Sequence, residues 1–342
     1  MLGESEPMKV PRSITASSVV VPRQGGAEVL EVQDRAIAAP GPDRVLVEVR
    51  AAGVNFIDIY QRNGTHDMDF PFVAGLEGAG TIKAVGKDIS DFTVGDRVAW
   101  ASVPGSGYTT HANIAASALV KIPDTVNFEQ AAAVMLQGLT AHYLCTSAFA
   151  VQRGQTVLLH AGAGGVGLLL TQLLGHIGAR VLTTTSTDEK AALSRAAGAA
   201  EVIRYDRTNF YDEIMRLTDG AGLPVVYDGV GQATYEDSLR CLGPRGMLVL
   251  FGAASGPVPP IDPRALELGG SLFLTRPTLR NYIATRNELI ERSTAIFDLI
   301  AQGRLDVRIG GRYSLSDAAQ AQEDLAARRS TGKLLIIPNA EK

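Results

Sequence analysis

The chain has 342 residues, 46% of them hydrophobic and 20% charged, with a net charge of −4. That length exceeds one ordinary core and predicts two domains, while the mildly acidic balance leaves no electrostatic footprint for nucleic acid or an anionic membrane. Only two cysteines occur, Cys145 and Cys241, which excludes a disulfide scaffold and a cysteine-rich metal site and suits a reducing, cytoplasmic compartment.

Met1 to Arg12 lacks an apolar h-region and reads as a loose tail, and no later apolar run reaches transmembrane length. From Ala16 to about Val134 the pattern is β-rich. Short strands are expected at Val19–Val21, Val29–Val32, Arg44–Val49, Gly75–Val85 and Asp96–Trp100, with glycines between them. Such spacing predicts a compact antiparallel barrel or sandwich. Phe128 to Ala150 reads as one or two helices.

After Thr156 the rhythm becomes strand, helix, strand, helix. Strands are expected at Thr156–Leu159, Arg180–Thr185, Glu201–Arg204, Val225–Asp228, Met247–Phe251 and Ser271–Leu274. This alternation predicts a doubly wound parallel sheet. A long helix (Arg286 to Gln302), a short one (Ser316 to Arg328) and a strand (Lys333–Ile337) follow, and are expected to return to the first domain.

The first strand of the wound half empties into Ala161-Gly162-Ala163-Gly164-Gly165-Val166-Gly167. Gly162, Gly164 and Gly167 satisfy G-x-G-x-x-G between a strand and a helix, where backbone N–H groups meet a dinucleotide diphosphate. Gly165 and Val166 complete that turn. An NAD site places an Asp or Glu roughly 20 residues past the glycines, on the ribose 2′-hydroxyl. Here Thr183 to Thr187 are all hydroxyls, Asp188 already opens the next helix, and Lys190 follows. Hydroxyls and a cation favour a 2′-phosphate, so the expected cofactor is NADPH. Asp228, Phe251 and Gly252 end the fourth and fifth strands, the edge that borders the ligand crevice of an open α/β sheet.

The order of parts resembles the medium-chain dehydrogenase/reductase superfamily, and within it the zinc-independent quinone oxidoreductases related to zeta-crystallin. The resemblance is carried by Ala52–Tyr60, Gly95–Val98, Gly138–Ala141, Ala161–Gly167, Val226–Gly231 and Thr275–Pro277. It implies an α/β protein with a β-rich, GroES-like catalytic domain (1–137 and 280–342) and a Rossmann domain (138–279), the active site lying in the cleft between them. Zinc-dependent relatives need Cys and His ligands in the first domain. This chain has no cysteine before Cys145, and Leu76 precedes Glu77 where a ligating His would stand. No metal is expected.

Without a metal, another donor must meet the charge that develops on the substrate oxygen. Asn55 and Tyr60 are the candidates the resemblance brings to the cleft, Asn55 also bordering the nicotinamide. Asn55 with Asp58 equally fits a capping box, and Tyr60 equally fits a packed aromatic. Glu77 could support the cleft or be a turn carboxylate. By resemblance Thr140 and Tyr143, three apart on one helix face, approach the nicotinamide; Ser186, Lys190 and Tyr205 hold the 2′-phosphate; Thr275, Arg276 and Lys333 reach the nicotinamide or diphosphate. A solvated helix side for Thr140 and Tyr143, a solvated Lys190 and an ion-paired surface Arg276 remain open. His142 and His160 read as packed side chains.

The implied function is NADPH-dependent quinone reduction. The alternatives are an enone or enoyl-thioester reductase on the same scaffold, or a non-catalytic NADPH- or RNA-binding protein of the zeta-crystallin kind. The apolar strand near Phe273 predicts a homodimer built edge to edge, since a bare hydrophobic edge is otherwise a liability.

Overall fold

A computed structural model describes residues 13–339, so the expected N-terminal tail lies outside the described residues. The chain divides into two compact units. The first holds 13–132, 312–323 and 335–339; the second holds Ala133–Gly311 and Asp324–Leu334.

The first unit is a set of antiparallel strands. In chain order these are β1 (Ser13–Val21), β2 (Glu31–Ala38), β3 (Arg44–Val54), β4 (Phe72–Val73), β5 (Gly78–Val85), β6 (Arg97–Trp100), β7 (His111–Ala115) and β8 (Val120–Lys121), with helix α1 (Phe56–Arg62) after β3. A small sheet runs β2-β1-β4, and a larger one runs β3-β5-β6-β8 with β7 on the other edge of β3. Val45, Val47 and Val49 of β3 are fully buried, as are Ile82, Val98, Trp100 and Ile114, and Val47 pairs in register with Ile82 and Val45 with Ile114. The indole N–H of Trp100 donates to Ser106 Oγ at 2.7 Å, which satisfies the one polar atom of that ring.

Helices α2 (Phe128–Val134) and α3 (Gln137–Tyr143) lead into the second unit, with a π turn at Leu144–Ala148. There follow β9 (Thr156–Leu159), α4 (Gly165–Ile177), β10 (Arg180–Thr185), α5 (Asp188–Ala196), β11 (Glu201–Arg204), α6 (Phe210–Leu217), β12 (Leu223–Asp228), α7 (Tyr235–Arg240), β13 (Leu242–Leu250), α8 (Pro263–Leu268), β14 (Phe273–Thr275), α9 (Leu279–Tyr282) and α10 (Arg286–Ala301). The order β11-β10-β9-β12-β13-β14 is parallel throughout. This is the expected doubly wound sheet: the chain grows outward both ways from β9, and the strand order reverses at β9 and β12. Val157, Leu158 and Leu159 are wholly buried because helices cover a parallel sheet on both faces. Truncating Leu158 to Ala would cost about 2–5 kcal/mol. Helix α4 stops at Gly178, whose φ of 88° lies in the left-handed region.

The last elements are β15 (Ile309–Tyr313), α11 (Ala318–Ala326) and β16 (Lys333–Ile336). The residues that return to the first unit are 312–323 and 335–339, and the second unit opens at Ala133. Side-chain contacts hold α9 and α10 in the second unit: Tyr282 stacks on Tyr143 at 4.1 Å, and Arg292 reaches His142 at 3.2 Å. The expected strand Val29–Val32 is also displaced, since Ala27–Val29 form a 3-10 turn and β2 begins at Glu31.

Candidate active site

Each unit carries one part of the expected site. In the first, β3 ends at Val54 and α1 starts at Phe56, leaving Asn55 as the N-cap. The side-chain oxygen of Asn55 accepts from the N–H of Asp58, while Asn55 N–H donates to Asp58 Oδ2 at 2.9 Å. The expected capping box is therefore present. The amide nitrogen is engaged as well: Nδ2 donates to Glu77 Oε1 at 2.6 Å and, more weakly, to Gly53 O at 3.3 Å. Tyr108, absent from the sequence-based set, donates its hydroxyl to Asp58 Oδ2 at 2.9 Å. Burial, with the Asp58 carboxylate beside it, raises the Tyr108 phenol well above its usual range, so it stays a donor. Asn55, Asp58, Glu77 and Tyr108 are all buried. Tyr60, one turn into α1, is half-buried between the rings of Phe56 (6.1 Å) and His66 (5.5 Å).

In the second unit the remaining candidates gather at the carboxyl edge of the parallel sheet. Gly162 N–H donates to Thr184 O at 3.0 Å, and Ala161 turns the chain with a φ of 55°. Gly164 caps α4, so the N–H groups of Gly165, Val166 and Gly167 have no intrahelical acceptor. The glycines differ in what a side chain would meet. A Cβ on Gly162 would strike Thr183 and Ser194, and one on Gly167 would strike the Ala161 carbonyl, so both permit close packing. A Cβ on Gly164 would meet nothing nearer than Ala161 O at 3.2 Å. Apart from that one carbonyl nothing lies within 4 Å, which leaves room for close approach of a diphosphate. Gly332 N–H donates to Ala163 O at 3.0 Å, which brings buried Lys333 beside the turn.

At the end of β10, Thr185 pairs in register with Arg204 of β11. Thr185 Oγ1 is buried and has no hydrogen-bond partner in the protein. Ser186 and Thr187 follow, and Thr187 caps α5 by accepting Lys190 N–H. The Lys190 ammonium donates to Arg328 O at 2.5 Å, so Arg328 stands at this corner too. Sequence reasoning missed it; the only signal was the Arg328-Arg329 pair ahead of Gly332. Tyr205 is exposed beside Arg204. Asp188, the nearest carboxylate after the strand, is paired with Arg204 and with Arg207. An unpartnered hydroxyl and an ammonium are donors that a 2′-phosphate fits, and the one nearby carboxylate has its charge compensated by two arginines.

Across the sheet, Asp228 is clamped. Its Oδ1 accepts from the N–H groups of Val230 and Gly231 at 2.8 and 2.9 Å, and its Oδ2 from Thr234 and Ser238 at 2.7 and 2.9 Å. It shapes the turn after β12 and is buried. The Phe251 ring lies over Gly229, since a Cβ there would be 2.8 Å from it, and Gly252 packs on the Gly229 carbonyl. Arg276, just past Thr275 at the end of β14, donates to the carbonyls of Leu250 and Gly252 at 2.9 and 3.0 Å. It is therefore anchored to the strand ends, a third outcome beside ligand contact and a surface ion pair. Thr140 and Tyr143 are buried on α3, not on a solvated side, and burial raises the Tyr143 phenol above its usual range. Tyr282, stacked on Tyr143, was not foreseen because the two lie on helices far apart in sequence.

Among the described residues no group of three or more His, Cys, Asp and Glu side chains is placed to hold a metal ion.

Comparison with known proteins agrees with both halves. The alcohol dehydrogenase GroES-like domain matches residues 41–152, and the zinc-binding dehydrogenase domain matches 165–299. A Pseudomonas aeruginosa quinone oxidoreductase is 46% identical over 315 residues, covering 92% of this chain and 97% of that protein. A 2-haloacrylate reductase from a Burkholderia species is 37% identical over 332 residues, covering 94% and 99%. The crystal structure of Escherichia coli quinone oxidoreductase complexed with NADPH superposes with a TM-score of 0.91 at 38% identity, covering 94% of this chain and all of that one. A GroES-like unit, a parallel Rossmann sheet and this degree of identity along nearly the whole length place the chain in the quinone oxidoreductase family of the medium-chain dehydrogenase/reductase superfamily.

Proposed function

We propose that this protein is an NADPH-dependent quinone reductase that works without a metal ion. The observation that carries the reading is the corner after β10, where Thr185 Oγ1 is buried and unpartnered, Lys190 supplies a cation, and Asp188 is neutralised by arginines. NADPH supplies a hydride equivalent from C4 of its nicotinamide. The protein's part is to bind and orient. The N–H groups at the start of α4 and the positive end of the helix dipole favour the diphosphate. Asn55 is held by Asp58 and Glu77 with one amide hydrogen on a long 3.3 Å contact to Gly53 O. That weak bond is the one an incoming oxygen would replace. The Tyr60 phenol is the second donor to the acceptor oxygen, and protons come from solvent.

The metal-free reading is supported by the donor set. Cys145 and Cys241 are both buried free thiols of the second unit, and the position before Glu77 is Leu76. Burial pushes both thiols up to about 12, which leaves them neutral and poor ligands. Two free thiols also favour the cytoplasm, and no helix among the described residues is long and apolar enough to cross a membrane. The homodimer reading is supported by the edge of the parallel sheet, where Phe273 (55% exposed), Leu274 and Leu268 are uncovered.

A second reading, reduction of an activated C=C bond, is favoured by the 2-haloacrylate reductase among the relatives. NADPH oxidation by purified protein against a panel of benzoquinones, naphthoquinones, enones and 2-haloacrylates separates the two. Faster turnover of quinones is expected. Faster turnover of enones or haloacrylates would overturn the assignment.

A further inference from the structure

The corner after β10 contains a charge network in which the cofactor reading uses the neutralised Asp188 but gives the arginines no role of their own. Asp188 opens α5, three residues past the end of β10, and its two carboxylate oxygens are taken by different arginines. Arg204 Nη1 pairs with Oδ1, and Arg207 Nη2 pairs with Oδ2 at 2.9 Å. Arg204 is itself fixed from the other side: Asp206 accepts from its Nε and Nη2, both at 2.8 Å, in a bidentate fork. The Arg204 side chain is only 13% exposed, whereas that of Asp188 is 75% exposed. A rigid guanidinium thus grips a solvent-facing carboxylate. With the carboxylate facing solvent, the pair adds only modestly to stability.

The position of Asp188 gives the grip a consequence. In a Rossmann site the stretch after the second strand faces the adenosine ribose, and a free carboxylate there accepts from a 2′-hydroxyl and repels a 2′-phosphate. Asp188 is the first carboxylate this chain offers after that strand. Register places Arg204 directly beside Thr185, so the arginine reaches the carboxylate from the neighbouring strand.

We propose that Arg204, assisted by Arg207, is a positioning residue that sets the preference for NADPH over NADH by pinning and neutralising Asp188. Arg204 acts through the carboxylate, and the phosphate is met by Lys190 and the hydroxyls. The inference rests on the NADPH reading above.

The test is calorimetric binding of NADPH, NADH, 2′,5′-ADP and 5′-AMP to the full chain without any acceptor, for wild type, Arg204→Gln, Asp188→Asn and the double variant. In Arg204→Gln the Kd for NADPH and 2′,5′-ADP is expected to rise about five- to tenfold, with NADH and 5′-AMP within about twofold of wild type. Asp188→Asn in the same chain should restore most of the loss, since the repelling charge is gone. An unrescued double variant would show that Arg204 touches the phosphate directly and would overturn the proposal. An unchanged NADPH-to-NADH ratio in Arg204→Gln would overturn it as well. A wild-type protein without preference for NADPH would instead overturn the cofactor reading.

Discussion

Asn55 and Glu77, 22 residues apart, are joined inside the first unit by a hydrogen bond of 2.6 Å from amide to carboxylate. Both are buried, so the bond is made where water does not compete. Glu77→Ala leaves Nδ2 without its short acceptor and frees the amide to turn. A hydrogen bond to a charged group contributes about 1.5–3 kcal/mol, which predicts a fall of roughly tenfold or more in kcat/KM for the quinone. Glu77→Gln keeps an acceptor oxygen and should lose about threefold, or ~0.7 kcal/mol. NADPH affinity, measured separately by calorimetry, should change less than kcat. A Glu77→Ala protein with wild-type turnover would remove Glu77 from the account.

The glycine turn makes a second prediction, because two of its glycines do different things. Gly164 has φ −75° and ψ 172°, which any residue adopts, and a Cβ there meets only one atom at 3.2 Å. Gly164→Ala should therefore lower stability by no more than about 1 kcal/mol, the Ala161 carbonyl having to yield slightly. Its methyl group would nonetheless occupy the approach to the first helical N–H groups, and NADPH should bind about tenfold or more weakly. Gly167→Ala drives a methyl group into the Ala161 carbonyl and Gly162, so it should lower stability by about 1–3 kcal/mol. Urea unfolding beside NADPH titration distinguishes these. Equal destabilisation of both variants would mean that the turn is only a packing device.

The reach of the sequence follows from how local each constraint is. Strands β9, β12 and the second half of β13 were legible because a strand buried on both faces must be apolar along its length, as Val157–Leu159 and Leu248–Leu250 are; the first half of β13 carries exposed Pro244 and Arg245 and was missed. Strand β2 was misplaced because nearly all of it is exposed and carries no alternation, and β15 was missed because Gly310 and Gly311 blur any pattern. The glycine turn was legible for the same local reason. Pairings such as Asp188 with Arg204, Lys190 with Arg328, and Tyr143 with Tyr282 join separate elements, and nothing in either partner's neighbourhood announces the other.

The exposed edge strand makes a third prediction. Phe273 and Leu274 stand at the rim of the parallel sheet, where unpaired backbone groups template another strand. If two copies meet there, Phe273→Lys together with Leu274→Lys places like charges across the symmetry axis and should yield monomers. Size-exclusion chromatography with light scattering reads this directly. A wild-type monomer at micromolar concentration would overturn the dimer reading.

His160 makes the last prediction, through pH. It is 1% exposed, its Nδ1 lies 2.9 Å from Thr184 Oγ1, and its Nε2 lies 2.9 Å from Ser238 Oγ. Ser238 spends its single hydroxyl proton on Asp228 Oδ2, so it must accept from Nε2–H, and Nδ1 accepts from Thr184. The neutral imidazole therefore satisfies every bond, tying β9 to β10 and, through Ser238, to the end of β12. Burial lowers its pKa below the usual 6.5, and the nearby Asp228 charge opposes this only in part. On acidification the unfolded chain takes up the proton first. Stability is then fully present above 6.5 and is lost as pH falls through that value, levelling once the folded-state pKa is passed. The slope reaches at most about 1.4 kcal/mol per pH unit for this one group. His111 and His142, also lowered by burial, add to the same slope, so the informative quantity is a difference between proteins. His160→Gln should cost about 1–3 kcal/mol at pH 8, from imperfect replacement of two buried hydrogen bonds. It should also flatten the slope between pH 6.5 and 5.5 by the His160 share. Urea unfolding midpoints at pH 8, 6.5 and 5.5 measure both effects, and parallel curves for the two proteins would show that His160 does not titrate on unfolding.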